Sequence, residues 1–288
     1  MLKKNYLSLA VHLHLYYFEM WENVRGYLKN IGDYPYRLYV TITRDNPELI
    51  RKIKEFHPDT VILVVENRGY DIGPFIYFLH KIDLRKYDLI LKIHTKNNQP
   101  GTMTILNKRY ISREYWFELL FGALLGSEKL FAKNIRAFVD NLNLGMIGSK
   151  YLISSDSASS LKVRAEVMKA MPRLGYKPPQ RITFVAGSMF IIRSVLLQKI
   201  KNNYVLSDFP PTDGAVKDGT LAHVLERVFG CVTVAEGYKI KGFDRNRSFE
   251  FQGTLQYVRN FICRRKITRS NNLIIKVFKV PVYHRKII

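Results

Sequence analysis

The 288-residue chain has two cysteines, Cys231 and Cys263, and no apolar run long enough to cross a bilayer. Two thiols exclude a disulfide framework, and they lack the spacing of a zinc site, so a reducing compartment is the simplest reading. A membrane-spanning helix needs about 18 to 20 consecutive apolar residues, so any membrane contact is expected to be peripheral. The opening MLKKNYLSLAVHLHLYY carries lysines like a signal peptide, but His12 and His14 interrupt its apolar run and no small-residue cleavage site follows. The chain is therefore expected to fold in the cytoplasm. Acidic residues are scarce as well: 24 Asp and Glu stand against 46 Lys and Arg, a formal charge of +22. No carboxylate follows Glu250, while residues 259–288 hold nine basic residues. A basic tail on a mildly basic body fits an anionic membrane surface at least as well as nucleic acid.

What is present is enough apolar material, 47% of the chain, to bury a sizeable core in one large α/β domain or two small ones. Four apolar runs, LSLAVHLHL (7–15), YRLYVTIT (36–43), TVILVVEN (60–67) and YDLILKIHT (87–95), read as strands separated by helix-like segments. Spacing near the thirty residues of a βαβ unit predicts a mostly parallel sheet with helices on both faces. Residues 112–142 read as one or two helices, followed by a short strand at LGMIGS. Residues 150–181 read as an insertion or mobile loop with a helix near 161–171. A strand FVAGSMFIIR (184–193), a helix over 218–229 and a strand at CVTVAEG then return to the core.

In an open parallel sheet, ligands bind beyond the carboxyl ends of the strands, and those positions are polar here. The third strand runs into ENRGYDIGPF, where Gly69 and Gly73 permit tight turns and Asn67, Arg68 and Asp71 offer hydrogen-bonding groups. Asp71 reads equally well as the N-cap of the next helix. In KIHTK, alternation places Lys92, His94 and Lys96 on one strand face, a row that repels itself unless an anion such as a diphosphate lies against it. The plainer alternative ends the strand at Leu91 with both lysines in water. His12 and His14 share a face, but with no carboxylate or cysteine cluster beside them they read as hydrogen-bonded structural groups rather than a metal pair. In DGTLAHVLERVFG, helical spacing sets Leu221, Leu225 and Val228 on one face and His223, Glu226 and Arg227 on the other. Asp213 and Asp218 precede it as caps or as general bases.

HLHLYY, VENRGYDIGPF, YDLILKIHTKN, FVAGSMFIIR and AHVLERVFG, in this order over residues 5–238, resemble the rhamnan synthesis protein F family of bacterial polysaccharide biosynthesis. The resemblance implies a glycosyltransferase with a single GT-A-like α/β domain, residues 1–245; the basic amphipathic tail, 246–288, falls outside it. It implies a nucleotide-sugar donor such as dTDP-rhamnose and a glycan or lipid-linked acceptor. GT-A enzymes commonly carry an Asp-x-Asp metal motif where this chain has His94, Thr95 and Lys96. The departure implies that Lys96, helped by His94 and Arg68, neutralises the leaving diphosphate, and no metal is called for. Asp71 is the one nearby carboxylate that could hold a divalent ion. The resemblance implies a catalytic base in the acidic segment, Asp218 or Glu226; helical geometry favours Asp218, at the helix start, while Glu226, two turns further along, could instead pair with Arg227 or His223. Donor contacts would come from His14, Asn67, Arg68, Gly69, Asp71, Gly73, His94, Lys96, His223 and Arg227, with Gly187 and Ser188 shaping the acceptor side.

The tail mixes aromatic and aliphatic residues with lysine and arginine, the composition of a segment lying on an anionic membrane surface. With a lipid-linked acceptor, this places the protein on the inner face of the cell membrane; a solvated tail is the alternative. Two other readings compete. A non-catalytic scaffold of a glycan assembly complex would fit the missing Asp-x-Asp. A nucleic-acid-binding protein is suggested by charge alone, with no nucleic-acid motif, so no nucleic-acid partner is expected.

Overall fold

The computed structural model describes residues 6–96, 103–106, 109–155, 161–212, 219–245, 262–267, 272–278 and 280–286. Along the chain run β1 (Leu9–His14), α1 (Trp21–Leu28), β2 (Tyr36–Ile42), α2 (Pro47–Phe56), β3 (Val61–Val64), α3 (Ile72–Lys81) and β4 (Leu89–His94). Then come β5 (Met103–Leu106), β6 (Arg109–Ser112), α4 (Arg113–Leu125), α5 (Glu128–Asp140), β7 (Leu144–Ile147), β8 (Ile153–Ser155), α6 (Leu161–Arg173), β9 (Thr183–Val185) and β10 (Phe190–Arg193). The series closes with α7 (Gln198–Asn203), α8 (Leu221–Ala235), β11 (Lys239–Lys241), β12 (Cys263–Ile267), β13 (Asn272–Val277) and β14 (Val280–Lys286). The chain divides into one unit of residues 1–107 and 111–244 and a second of 108–110 and 245–288.

The first unit is built on a seven-stranded sheet in the order β11-β7-β10-β4-β1-β2-β3. β1 and β4, at its centre, are buried along their whole length, which is why LAVHLH and LILKIH read as nearly continuous apolar runs. One face is covered by α3 and α8, whose Phe75, Phe78, Leu225 and Phe229 form a core with Ala10, Ile90, Phe190 and Ile192 of the sheet. On the other, α1 meets α4 through Tyr27 against Phe117 and Phe121, and α5 packs on β7. Local signals place the helices: the Asn46 side chain accepts the Leu49 N–H at the start of α2, and Ser127 accepts that of Leu130 at the start of α5.

β1 pairs in parallel with β2 on one side and with β4 on the other, and β2 pairs with β3. The chain thus moves outward through β2 and β3 and returns across β1 to β4. That reversal makes the carboxyl ends of β1 and β4 the switch point, where a crevice opens in sheets of this kind.

The sheet is mostly parallel, as expected, with β10 alone running antiparallel to its neighbours β4 and β7. Other expectations are corrected. The expected single strand 184–193 is two strands, broken at Gly187 and Ser188, whose φ values are 88° and 50°. CVTVAEG is not a strand: α8 continues to Ala235, with Cys231 and Val232 in the core, Thr233 buried and Val234 exposed. Residues 150–181 are not simply an inserted loop. β8 pairs with β9, and α6 buries Val163, Val167 and Met171 in the core that α8 shares.

Candidate active site

At the switch point the two central strand ends are tied together. Thr95 Oγ1 accepts the backbone N–H groups of Tyr16 and Tyr17, both at 3.0 Å, and the Thr95 N–H donates to the His14 carbonyl at 3.0 Å. Beside them the β3–α3 turn bends sharply, with positive φ at Gly69 (66°) and Tyr70 (55°). A Cβ on Gly69 would lie 2.3 Å from the Phe209 ring, and one on Gly73 would lie 2.0 Å from the Arg68 carbonyl oxygen. Both glycines therefore serve close backbone approach. The turn holds the 209–212 segment: Asn67 O accepts the Thr212 N–H at 2.9 Å, and Arg68 Nη1 donates to Phe209 O at 3.0 Å. With Gly187 and Ser188, Trp116 of α4 and the first turns of α8, these elements enclose a cleft of about 660 Å³.

The floor of the cleft is a buried ion pair. Lys92, wholly inaccessible to solvent, donates from Nζ to Asp71 Oδ2 at 2.5 Å and to Ser188 O at 2.9 Å, while Ser188 Oγ donates to the same carboxylate oxygen at 2.5 Å. Burial pushes the Asp71 carboxyl up, but His94, the Lys92 ammonium and the two hydrogen bonds outweigh it and hold the group far below the usual carboxylate range. The anion expected against the lysine row is thus, for Lys92, the protein's own carboxylate. Asp71 occupies the N-cap position of α3 yet makes no side-chain capping bond, since its oxygen is used at the floor.

The histidines above this pair are neutral at physiological pH. Burial lowers His14 to about 4 against the pull of Asp71, and it holds His94 well below the ordinary imidazole value. His14 Nδ1 and His12 Nε2 share Thr41 Oγ1 at 3.0 and 3.1 Å. Burial thus removes His94 from the expected cationic clamp. Arg68 leaves it too, being bonded to Glu66 at 2.6 Å and to Phe209 O and lying outside the cleft lining. Lys96 is the member of that trio that lines the cleft as a cation, its Nζ 4.0 Å from the Trp116 ring centroid.

On the α8 side, Glu226 is clamped at both oxygens. Oε1 accepts the Gly187 N–H at 2.7 Å and Oε2 accepts Arg227 Nη1 at 2.6 Å. Arg227 does not line the cleft; it is buried, with its guanidinium 4.6 Å from the Phe184 ring centroid and a bond to the His223 carbonyl. His223 does line it, with Nδ1 2.8 Å from Thr220 Oγ1 and its ring edge-on to Tyr70. Asp218 and Asp213 lie outside the described residues. Of the sequence candidates, His14, Asn67, Asp71, His94, Lys96, Gly187, His223 and Glu226 meet at one cleft. Gly69, Gly73, Arg68 and Arg227 stand behind it as supports.

No group of three His, Cys, Asp or Glu side chains is placed to hold a metal ion among the described residues. The nearest donors, Asp71 with His94 and His14, do not fit a divalent ion, because Asp71 Oδ2 already takes bonds from Lys92 and Ser188. Sequence reasoning missed Trp116, whose buried Nε1 has no hydrogen-bond partner among the described residues. It also missed Tyr16, Tyr17 and Thr212 in the lining. Trp116 lies in a helix whose REYWFELLFGALL pattern is apolar nearly all round, so no polar stripe marks it.

Comparison with known proteins places these residues in context. The profile of a family described as Rhamnan synthesis protein F matches residues 2–238. The protein WxcX of Xanthomonas campestris pv. campestris, described as uncharacterized, is 25% identical over 246 residues, covering 81% of this chain and 32% of WxcX. The chain thus spans about a third of the length of the curated relatives it matches. Among solved structures, mannosyltransferase PcManGT from Pyrobaculum calidifontis, in complex with GDP-Man and Mn²⁺, is 13% identical, with 90% of this chain and 64% of that one covered and a TM-score of 0.41. TarS residues 1–349 from S. aureus are 11% identical, with 82% and 57% covered and a TM-score of 0.40. Scores of this size leave the description of the fold to the topology given above.

Proposed function

Because the chain belongs to the rhamnan synthesis protein F family, we propose that it is a glycosyltransferase of GT-A-like design that moves a sugar from a nucleotide-sugar donor to a growing cell-surface glycan. The observation that carries this reading is a cleft at the β1/β4 switch point lined by both an oriented carboxylate, Glu226, and a cation, Lys96. Transfer with inversion needs a base for the acceptor hydroxyl. The acceptor O–H proton passes to Glu226 as its oxygen bonds the anomeric carbon, and the anomeric C–O bond breaks to release the nucleoside diphosphate. Gly187 and Arg227 hold the carboxylate in place for that role. Asp218, the other candidate, precedes α8 by three residues. Asp71 is not a candidate base, since against the effect of burial His94, Lys92 and Ser188 hold its carboxyl far below the usual carboxylate range and make it a very weak proton acceptor.

The leaving diphosphate is stabilised by Lys96, a preorganised cation in a partly desolvated site, and the unpartnered Trp116 Nε1 supplies a neutral donor at the same wall. The donor is a nucleotide sugar such as dTDP-rhamnose and the acceptor is a lipid-linked glycan, which sets the protein on the inner face of the cell membrane. In keeping with a peripheral placement, no helix among the described residues is long and apolar enough to cross a membrane.

A thermal-shift screen against dTDP-, UDP- and GDP-sugars, each with EDTA or with Mn²⁺ or Mg²⁺, tests the proposal, because a ligand that binds only the native state raises its apparent stability. Stabilisation by one nucleotide class in EDTA is expected. If no nucleotide sugar shifts the melting temperature, the transferase reading fails and a scaffold role in glycan assembly takes its place.

A further inference from the structure

His14 and His94 line the cleft but carry neither the charge nor the proton transfer of the proposed reaction. His14 ends β1 and His94 ends β4, and the parallel register sets them directly opposite each other. Alternation puts both on the sheet face covered by α3, where His12, two residues before His14, stacks on Phe78. Neighbouring strands lie about 4.8 Å apart, so the two imidazoles stand side by side. Both rings are buried, and burial holds both neutral at physiological pH.

Each ring is fixed from its Nδ1 side. His14 Nδ1 lies 3.0 Å from Thr41 Oγ1, and His94 Nδ1 lies 3.5 Å from Asp71 Oδ2. Beside an ionised carboxylate the ring proton of His94 belongs on Nδ1, because a lone pair there would face negative charge. Thr41 has one hydroxyl hydrogen, which it directs to the Leu13 carbonyl at 3.5 Å. Its oxygen then accepts from both His14 Nδ1 and His12 Nε2. Each Nε2 is left with a bare lone pair. Neither Nε2 is sealed in the interior, and none of the described residues bonds either one.

Two uncharged acceptors make a poor seat for a phosphate, whose oxygens bring only further lone pairs. They suit groups that bring hydrogen. No third donor stands with them to hold a metal ion among the described residues, and Asp71 Oδ2 is already taken by Lys92 and Ser188. A sugar ring offers hydroxyls on adjoining carbons, the pairing that two side-by-side acceptors fit.

We infer that His14 Nε2 and His94 Nε2 accept the O–H groups of two neighbouring hydroxyls on one sugar ring of the donor, so that this hydroxyl pair is selected for in binding. The assignment rests on the nucleotide-sugar reading above and leaves the diphosphate to Lys96. The ring is the ribose of the nucleotide or the sugar transferred, and both present the same chemistry.

Calorimetric titration of the full chain in EDTA distinguishes the two sources. UDP and GDP against dUDP and dGDP report on the ribose; UDP-glucose and dTDP-glucose against their 2-deoxy and 3-deoxy forms report on the transferred sugar. In one of these sets, removing a hydroxyl should weaken binding about tenfold. In His94→Phe, which keeps a ring of similar shape, that preference should shrink to under about twofold, and His14→Phe should do the same for the neighbouring hydroxyl. A merely structural role would weaken hydroxyl and deoxy probes alike and leave their ratio unchanged. On the native protein without ligand, ¹⁵N NMR of labelled histidines should show both Nε2 atoms unprotonated at neutral pH, a result independent of how the variants fold. Nε2–H on either ring, equal affinity for hydroxyl and deoxy probes, or a preference that appears only when Mn²⁺ replaces EDTA would each overturn the assignment alone. If no nucleotide or nucleotide sugar binds at all, the transferase reading falls and this assignment falls with it.

Discussion

Lys92 and Asp71, 21 positions apart in sequence, meet at 2.5 Å in the floor of the cleft, with side-chain exposures of 1% and 17%. The pair joins the middle of β4 to the start of α3, and through Ser188 it reaches the β9–β10 turn, so three walls share one electrostatic anchor. Removing one partner leaves an uncompensated buried charge. Lys92→Met or Asp71→Asn should each cost about 3–5 kcal/mol in denaturant unfolding. Lys92→Met combined with Asp71→Leu should recover much of that loss. A loss in the double variant equal to the sum of the two single losses would show that the two groups are not coupled.

Acid should unfold the protein in stages whose sign follows from the histidines. His14 has a folded value of about 4 against an ordinary 6.5, so between those values the unfolded chain binds the extra proton. Stability is then complete above pH 6.5 and falls as pH drops to 4, by about 3 kcal/mol from His14 alone. His12 and His94, also lowered by burial, act in the same direction. Below that window Asp71, depressed in the fold, removes more as the unfolded chain protonates first. Urea unfolding across pH 4–7 of the native protein and of His14→Asn should show the smaller slope in the variant.

Much of this was legible from the sequence. The runs at 7–15, 36–43, 60–67 and 87–95 contain β1 to β4; the central β1 and β4 read clearly because strands buried on both faces require nearly unbroken apolar residues, while β3, at the sheet edge, is only partly buried. The polar ends of the first and fourth strands and the 67–73 turn converge as expected. What failed did so where local pattern is silent. CVTVA has the β-branched content of a strand but lies in a helix buried nearly all round, where periodicity cannot separate the two. Lys92 looked like one of three cations facing an anionic ligand. Its partner is supplied by tertiary structure, and nothing in KIHTK points to Asp71.

Gly69→Ala should damage the site through the backbone. The residue sits at φ 66°, and an added Cβ would meet the Phe209 ring at 2.3 Å, in the segment that carries Thr212 to the cleft. Strain and displacement together are expected to cost about 2–4 kcal/mol. Thermal unfolding measures the loss, and weaker nucleotide-sugar binding by the surviving folded protein would show that the turn positions the wall.

Lys96→Ala separates charge from shape at the Trp116 wall. If Lys96 meets the diphosphate, the variant should bind nucleoside diphosphate about tenfold more weakly and lose much of the salt dependence of binding, with an unchanged melting temperature when no ligand is present. Calorimetric titration at two salt concentrations reads both quantities. Affinity and salt response equal to those of the native protein would move the diphosphate elsewhere in the cleft.

Glu226→Gln tests the base with the least structural disturbance. The amide keeps an oxygen to accept the Gly187 N–H and nearly the same volume, but it cannot take a proton from an acceptor hydroxyl and no longer offsets the Arg227 charge. If Glu226 is the base, turnover should fall by about 10²–10⁴ while donor affinity stays within a few-fold. Arg227→Met should behave differently. It leaves the carboxylate in place but unclamped, lowering turnover less than Glu226→Gln does and reducing stability, because a buried guanidinium with two hydrogen bonds is lost. Turnover in Glu226→Gln close to that of the native protein would transfer the base role to Asp218, and the same kinetics on Asp218→Asn would then decide it.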